Sequence, residues 1–322
     1  MQRVYVSAFI PDDILDPLRS VAAVGSWDGG GPAPRPVLLE QVKDCEGLLS
    51  MLVDTIDVEL LDSAPKLRVI SQMSVGLDNV DVESCEARGI RVGHTPDVLT
   101  ETVADMAFAL MAAVVRRLLE GAAIVRENRW GIWDPWANLS GDLHGSTLGI
   151  VGMGRIGQAI ARRAAGFAMN IVYSSPSDKD LPGARRLPLN ELLAEADLVV
   201  LSAPLTSATR HLIGVPELES MKDSSYLINV ARGGLVDTGA LVDALEKGVI
   251  GGAALDVTDP EPLPPGHPLL TMDNCLIVPH LGSASINARR GMAQLAVDNL
   301  IAGLAGTAMP AEYGARSAVS DQ

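Results

Sequence analysis

The stretch Leu148–Arg163, LGIVGMGRIGQAIARR, decides the fold. An apolar run from Thr147 to Val151 breaks at Gly152-x-Gly154-x-x-Gly157, and a helical pattern follows at once. Strand, tight turn and helix in that order make a dinucleotide-binding fingerprint. The first glycine allows the turn and the second lets backbone approach a pyrophosphate. The third lets the helix pack on the strand, and the helix N-terminus draws the anion. With 31 glycines in the chain the spacing alone is weak, so the weight comes from the strand before it and the helix after it.

Working outward, short β-branched runs alternate with helical patterns on both sides. RVYVSAF, GLLSMLV and LRVIS read as strands in the first part of the chain. An apolar helix from about Thr102 to Leu119 follows, and the alternation then restarts. TLGIVG, NIVYS, DLVVLSA, SSYLINV, GGAALDV and NCLIVP read as strands; RIGQAIARRAAGF, LNELLAEA and GALVDALEKG read as helices. Strands that alternate with helices of this length imply parallel sheets joined by right-handed crossovers. Continuous apolar runs such as LVVL suit strands buried on both faces. At 322 residues the chain exceeds one compact core, so the expected class is α/β with two doubly wound parallel-sheet domains. A final helix, roughly Ile286 to Ala305, either finishes the second domain or crosses back to the first; periodicity does not separate these.

Composition narrows the function classes. Apolar residues make up 48% and charged residues 20%, as in a globular protein with ample core. A formal charge of −15 argues against nucleic acid or an anionic membrane as partner, since neutralising phosphates needs a basic face. The three cysteines, Cys45, Cys85 and Cys275, show no CxxC spacing, so neither a disulfide framework nor a metal site is expected. The N-terminus MQRVYVSAFIPDD reaches proline and acid too soon for a signal peptide. Val103–Val115, VADMAFALMAAVV, is too short to span a bilayer and carries Asp105; it reads as a helix buried in the protein or in an interface. A cytoplasmic location is expected.

Cofactor choice rests on the end of the strand after the glycines. An acid there accepts from the adenosine ribose 2′-OH and repels a 2′-phosphate. Here Ser174 and Ser175 stand at that place, Lys179 follows, and no arginine is evident nearby. NADP is therefore favoured over NAD.

Three features downstream carry the chemistry. Arg232 follows the buried-looking run SYLINVA and precedes Gly233 and Gly234, which are expected to let the backbone turn tightly. Glu261 sits in a proline-rich loop after the strand ending near Asp256, and His280 follows another strand. Singly, each has an ordinary structural explanation: a salt bridge from Arg232 to Asp237, a solvated acid, a satisfied histidine. Together, past the C-terminal ends of parallel strands, a base, a carboxylate and a cation suit acid-base work on an anion.

At these residues the chain resembles the D-isomer-specific 2-hydroxyacid dehydrogenases, and within them the glyoxylate/hydroxypyruvate reductases. The resemblance runs along nearly the whole chain. Its strongest segments are SVGLDNVD (Ser74–Asp81), RVGHTPDVLTETVAD (Arg91–Asp105), VGMGRIGQAIARR (Val151–Arg163), INVARGGLVD (Ile228–Asp237), LDVTDPEPLPPGHPLL (Leu255–Leu270) and PHLGSAS (Pro279–Ser285). It implies a nucleotide domain of Rossmann type, from about 98 to 284, inserted into a flavodoxin-like substrate domain of residues 1–97 plus 285–322. It also implies a homodimer built around the apolar helix and the arm NRWGIWDPWANL. The cofactor would be lined by Thr102, Gly152, Gly154, Arg155, Ile156, Gly157, Ser174, Ser175, Ala203, Pro204, Thr209, Val230, Ala231, Arg232, Asp256, His280 and Gly282. Of these, Asp256 would bond the nicotinamide amide and Thr102 the phosphates.

By the same resemblance His280 is the general acid/base, paired with Glu261, and Arg232 binds and polarises the 2-oxo acid. Elementary chemistry agrees. Hydride addition to a carbonyl leaves negative charge on oxygen, which needs a proton and a nearby cation. A carboxylate beside imidazole favours its protonated form. A guanidinium offers a fork of donors that lysine lacks. In the first domain, Val75 and Gly76 resemble the family's carboxylate-binding turn, with Leu52 as an apolar wall. Phosphorylated substrates are disfavoured because Ser50–Asp57 holds no cation, and phosphite dehydrogenases carry a lysine where Val75 stands. Trp130, Trp133 and Trp136 either shape the partner subunit's pocket or pack the dimer. The alternatives are another D-2-hydroxyacid dehydrogenase of the family, or a dinucleotide-sensing protein like the corepressors that share this fold.

Overall fold

The structure, a computed structural model, describes residues 1–314. It divides into two compact units, Met1–Leu99 with the chain from Ser285 onward, and Thr100–Ala284. Residues 315–322, which the sequence reading places in the substrate domain, lie outside the described residues.

The first unit holds strands β1 (Gln2–Val6), β2 (Ala22–Ser26), β3 (Gly47–Ser50), β4 (Val69–Gln72) and β5 (Arg91–Gly93). All pair in parallel, in the order β2-β1-β3-β4-β5, the flavodoxin-like doubly wound order. Helices α1 (Asp12–Val21), α2 (Arg35–Gln41), α3 (Val58–Ser63) and α4 (Val82–Ala87) form the crossovers. The period-2 geometry of a strand explains the apolar runs. Leu48 and Ile70 feed one core with Leu38, Leu60 and Cys85, whereas their neighbours Leu49 and Val69 feed the opposite core. That opposite core is closed by α1 and by the helix Ile286–Leu304, through Ala293, Ala296, Val297 and Leu300.

The second unit opens with helices α5 (Thr100–Val115) and α6 (Leu118–Arg126). One helix to about Leu119 was expected; the structure breaks it at Arg117, whose backbone is left-handed (φ 50°). There the guanidinium bonds Glu120 (2.7 Å) and the Leu139 carbonyl (3.0 Å), which offsets the cost of that conformation. Strands β6 (Thr147–Val151), β7 (Asn170–Ser174), β8 (Ala184–Arg186), β9 (Leu198–Leu201), β10 (Tyr226–Asn229), β11 (Gly252–Leu255) and β12 (Cys275–Ile277) follow. Between them come α7 (Arg155–Ala164), α8 (Leu189–Glu195), α9 (Val215–Ser220) and α10 (Thr238–Glu246), and Ile286–Leu304 is then α11. The sheet is wholly parallel, in the order β12-β11-β10-β9-β6-β7-β8. Strand order reverses between β6 and β9, which is where such sheets bind dinucleotides.

Two things fix the unit's interior. β9 is buried along its whole length, as its LVVL run requires, and α5 packs across β10 and β11. The short edge strands β2, β5 and β8 went unread in the sequence, because a three- to five-residue edge strand carries little apolar pattern. No helix of the described residues is long and apolar enough to cross a membrane.

Candidate active site

The glycine turn between β6 and α7 has the geometry of a phosphate cradle. Gly152 holds φ +96°, and a Cβ there would come to 2.5 Å from the Ala203 backbone nitrogen, so only glycine fits. A Cβ on Gly157 would strike the Gly152 carbonyl, which shows how closely helix and strand approach. A Cβ on Gly154 would meet nothing within 4 Å, so the space above the turn is open. The N-cap of α7 is Gly154, which brings no side chain to cap the helix, and the opening N–H groups suit an outside anion. Beside this turn, Ser202 Oγ donates to the Gly152 carbonyl at 2.7 Å, ahead of Ala203 and Pro204. Thr209 spends its hydroxyl within its own loop, donating to the Pro204 carbonyl (2.7 Å) and accepting from the Thr206 N–H (2.8 Å). Thr102 lies in the first turn of α5, which packs on α7. These residues fit a nicotinamide dinucleotide.

The end of β7, where the adenosine ribose of a dinucleotide would lie, holds a residue that the sequence reading missed. Arg186, on edge strand β8, donates from Nε to the Ser175 carbonyl (3.0 Å) and from Nη2 to the Pro176 carbonyl (2.9 Å). Its cation therefore sits at the end of β7, beside Ser174 and Ser175. Register explains why: parallel pairing sets Arg186 against Tyr173, one residue before Ser174. Eleven residues separate Arg186 from Ser174 in sequence, so only strand pairing brings them together.

His280 and Glu261 meet as expected, with His280 Nδ1 2.6 Å from Glu261 Oε1. Burial pushes the Glu261 carboxyl up, but the His280 hydrogen bond and charge, the Thr258 N–H and the charge of Arg232 outweigh it. The carboxyl is thus held below its ordinary range and stays ionised through neutral and mildly acidic pH. Arg232 extends from the end of β10 and donates from Nη1 to the Ala231 carbonyl (2.9 Å). Its loop is locked by buried Asn229, which accepts from Ala231 N–H (3.0 Å) and donates to the Arg232 carbonyl (2.8 Å). Val230 and Ala231 complete that loop. Asp237 caps α10 by accepting from Ala240 N–H (3.0 Å).

His280 itself has a left-handed backbone, φ 53°, which costs energy for a non-glycine residue. Asp256 supports it. The Asp256 carbonyl accepts His280 N–H (2.9 Å), and its carboxylate accepts the N–H groups of Leu281 (2.6 Å) and Gly282 (2.8 Å). A Cβ on Gly282 would come to 2.7 Å from the Asp256 carboxylate, so a larger residue would have to push that carboxylate aside. Asp256 is 2% exposed, and what it visibly does is hold the turn that carries the histidine.

In the first unit, the turn Ser74–Gly76 presents the N–H groups of Val75 and Gly76, which make no hydrogen bond among the described residues. Ser74 Oγ donates to the Gly76 carbonyl at 2.5 Å and closes the turn. Leu52 is half-buried in the loop after β3. Asp54 holds that loop, accepting from Met51 N–H (2.7 Å) and from the Ser7 hydroxyl. Asn79 adds bonds to the carbonyls of Met51 (3.2 Å) and Asp54 (2.5 Å). Burial pushes the Asp54 carboxyl above its ordinary range, against those two donors and the charge of Arg35.

A cofactor cradle with a histidine, a carboxylate and an arginine at strand ends suits a family whose model, D-isomer specific 2-hydroxyacid dehydrogenase, NAD binding domain, matches residues 108–282. The chain belongs to the D-isomer specific 2-hydroxyacid dehydrogenase family. As such it is an NAD(P)-dependent oxidoreductase. A glyoxylate reductase of Thermococcus gammatolerans is 47% identical over 308 residues, covering 93% of this chain and 92% of the relative. A crystal structure of a Thermus thermophilus protein matches with TM-score 0.92 at 49% identity, covering 97% of this chain and all of that one. The NADPH-dependent glyoxylate/hydroxypyruvate reductase of Sinorhizobium meliloti, solved with NADP and malonate, matches with TM-score 0.87 at 34% identity over 97% of both chains.

Proposed function

We propose that this dehydrogenase reduces short, unphosphorylated 2-oxo acids, glyoxylate and hydroxypyruvate, with NADPH favoured over NADH. The observation that carries the chemistry is the His280–Glu261 pair at 2.6 Å with the Arg232 charge beside it. When bound, the nicotinamide supplies hydride to the carbonyl carbon. Glu261 takes up the Nδ1 side of His280, which leaves Nε2 to protonate the substrate oxygen. Arg232 offers its forked donors to the carboxylate and the carbonyl oxygen. In the first unit, the N–H groups of Val75 and Gly76 grip the substrate carboxylate, with Leu52 as the apolar wall that keeps the acid short.

Cofactor preference rests on Ser174, Ser175 and Arg186 where an acid would exclude a 2′-phosphate. The test crosses NADPH and NADH with glyoxylate, hydroxypyruvate, pyruvate and phosphohydroxypyruvate in steady state. Turnover of the two short acids with NADPH is expected; no reduction of any 2-oxo acid would sink the enzyme reading. Titration of cofactor onto Arg186→Ala separates the cofactor question from turnover. NADPH binding should weaken about tenfold and NADH binding should barely move, as expected for one lost charge-assisted contact. Equal losses for both cofactors would remove Arg186 from 2′-phosphate recognition.

We also assign a second copy of the chain to the arm after α6. There Trp130, Trp133 and Trp136 are at least 75% exposed and Ile132 fully so, more apolar surface than an isolated chain usually leaves in water. Light scattering should return twice the chain mass of 33.8 kDa, and a monomer at micromolar concentration would refute the assignment.

A further inference from the structure

We propose that His94 is a positioning residue for the substrate carboxylate: by holding the Val75 carbonyl it aims the Gly76 N–H. The inference rests on the reading of the Val75–Gly76 turn as the carboxylate grip. His94 Nδ1 lies 3.0 Å from the Val75 carbonyl oxygen. That oxygen only accepts, so Nδ1 carries the hydrogen. A trans peptide is planar, with C=O and N–H pointing in opposite directions. Fixing the Val75 oxygen therefore fixes the direction of the Gly76 N–H. The preceding peptide is set in the same way, since Thr95 N–H donates to the Ser74 carbonyl (2.8 Å) and so orients the Val75 N–H. Two consecutive donors of the grip are thus aimed by two consecutive residues, one through its side chain and one through its backbone.

The histidine is itself held. Its N–H donates to the Ala311 carbonyl (3.0 Å), and its carbonyl accepts from buried Asn299 on α11 (3.0 Å). Tyr313 meets the imidazole edge-on, with centroids 6.1 Å apart and planes at 87°. The segment that follows α11 therefore buttresses the turn through one ring.

Packing and hydrogen bonding make opposite demands at this position, so two substitutions tell them apart. His94→Phe keeps a ring for Tyr313 but has no donor. His94→Asn loses the ring but places an amide nitrogen at the same reach from the backbone as Nδ1. With saturating cofactor, His94→Phe should raise the glyoxylate KM about tenfold and leave kcat within about twofold, the effect of one lost orienting hydrogen bond. His94→Asn should stay close to wild type, and cofactor affinity should be unchanged in both. The reverse ranking, or an unchanged KM in both, would overturn the proposal. Should His94→Phe not melt cooperatively, His94→Gln, whose donor lies one bond further out, replaces it with the same expected rise in KM. A wild type that reduces no 2-oxo acid removes the carboxylate reading first; an active wild type with indifferent variants removes only the role of His94.

Discussion

Replacing His280 with alanine should lower kcat by about 10²–10⁴-fold, the usual contribution of a positioned general acid, while the cofactor still binds. The expectation follows from how much of the second unit is spent on one imidazole. The His280 backbone is left-handed, its N–H is bonded to the Asp256 carbonyl, and Asp256 ties down the next two residues with its carboxylate. Glu261 then fixes the ring from its Nδ1 side. None of those contacts touches the glycine cradle at Gly152–Gly157, so dinucleotide titration should still show binding. Alanine inherits the same φ and loses the bond to Glu261, so the melting temperature should fall only modestly beside the loss of turnover. A histidine kept only for structure would show the opposite split, a lower melting temperature with turnover preserved. Glu261→Gln should also be slow, because a neutral amide can hold the ring but brings no negative charge to the site.

What could be read from the sequence follows the distinction between local and non-local information. Strands buried on both faces, such as β6 and β9, announce themselves as apolar runs, and the cradle is spelled out within one strand and one helix. Arg232, Glu261 and His280 could be singled out because each lies a few residues past the end of a recognisable strand. Arg186 was not, since its neighbours at Ser175 and Pro176 become neighbours only through the β7–β8 pairing. His94 was hidden for the same reason: its partner Val75 lies on the other side of α4 in sequence. Asp256 could be singled out from the resemblance, but its grip on Leu281 and Gly282 depends on a pairing that no spacing reveals.

The glycines behind Arg232 carry the other large effect. A tight turn was expected of them, yet neither has a positive φ, and Gly233–Leu235 form a short 3₁₀ turn. What requires Gly233 is the approach of another loop. A Cβ there would land within the van der Waals shell of the Thr258 carbonyl and the Asp259 nitrogen, both main-chain atoms that no rotamer change can move aside. The Arg232 loop and the Glu261 loop can lie this close only if one of them has no side chain. Gly233→Ala should therefore cost about 3 kcal/mol or more, the upper end for overpacking, and lower the melting temperature by several degrees. It should also slow turnover in whatever fraction folds, because Thr258 and Asp259 lead directly to Glu261 and the Thr258 N–H is one of its partners (3.3 Å). Gly154→Ala makes the contrasting case, since its Cβ would enter open space. That variant should melt like wild type yet bind dinucleotide more weakly, because its methyl group would stand where the pyrophosphate must approach. If both variants melted normally, close approach of the two loops would not be what keeps Gly233 a glycine, and the spacing of Arg232 from Glu261 would need another cause.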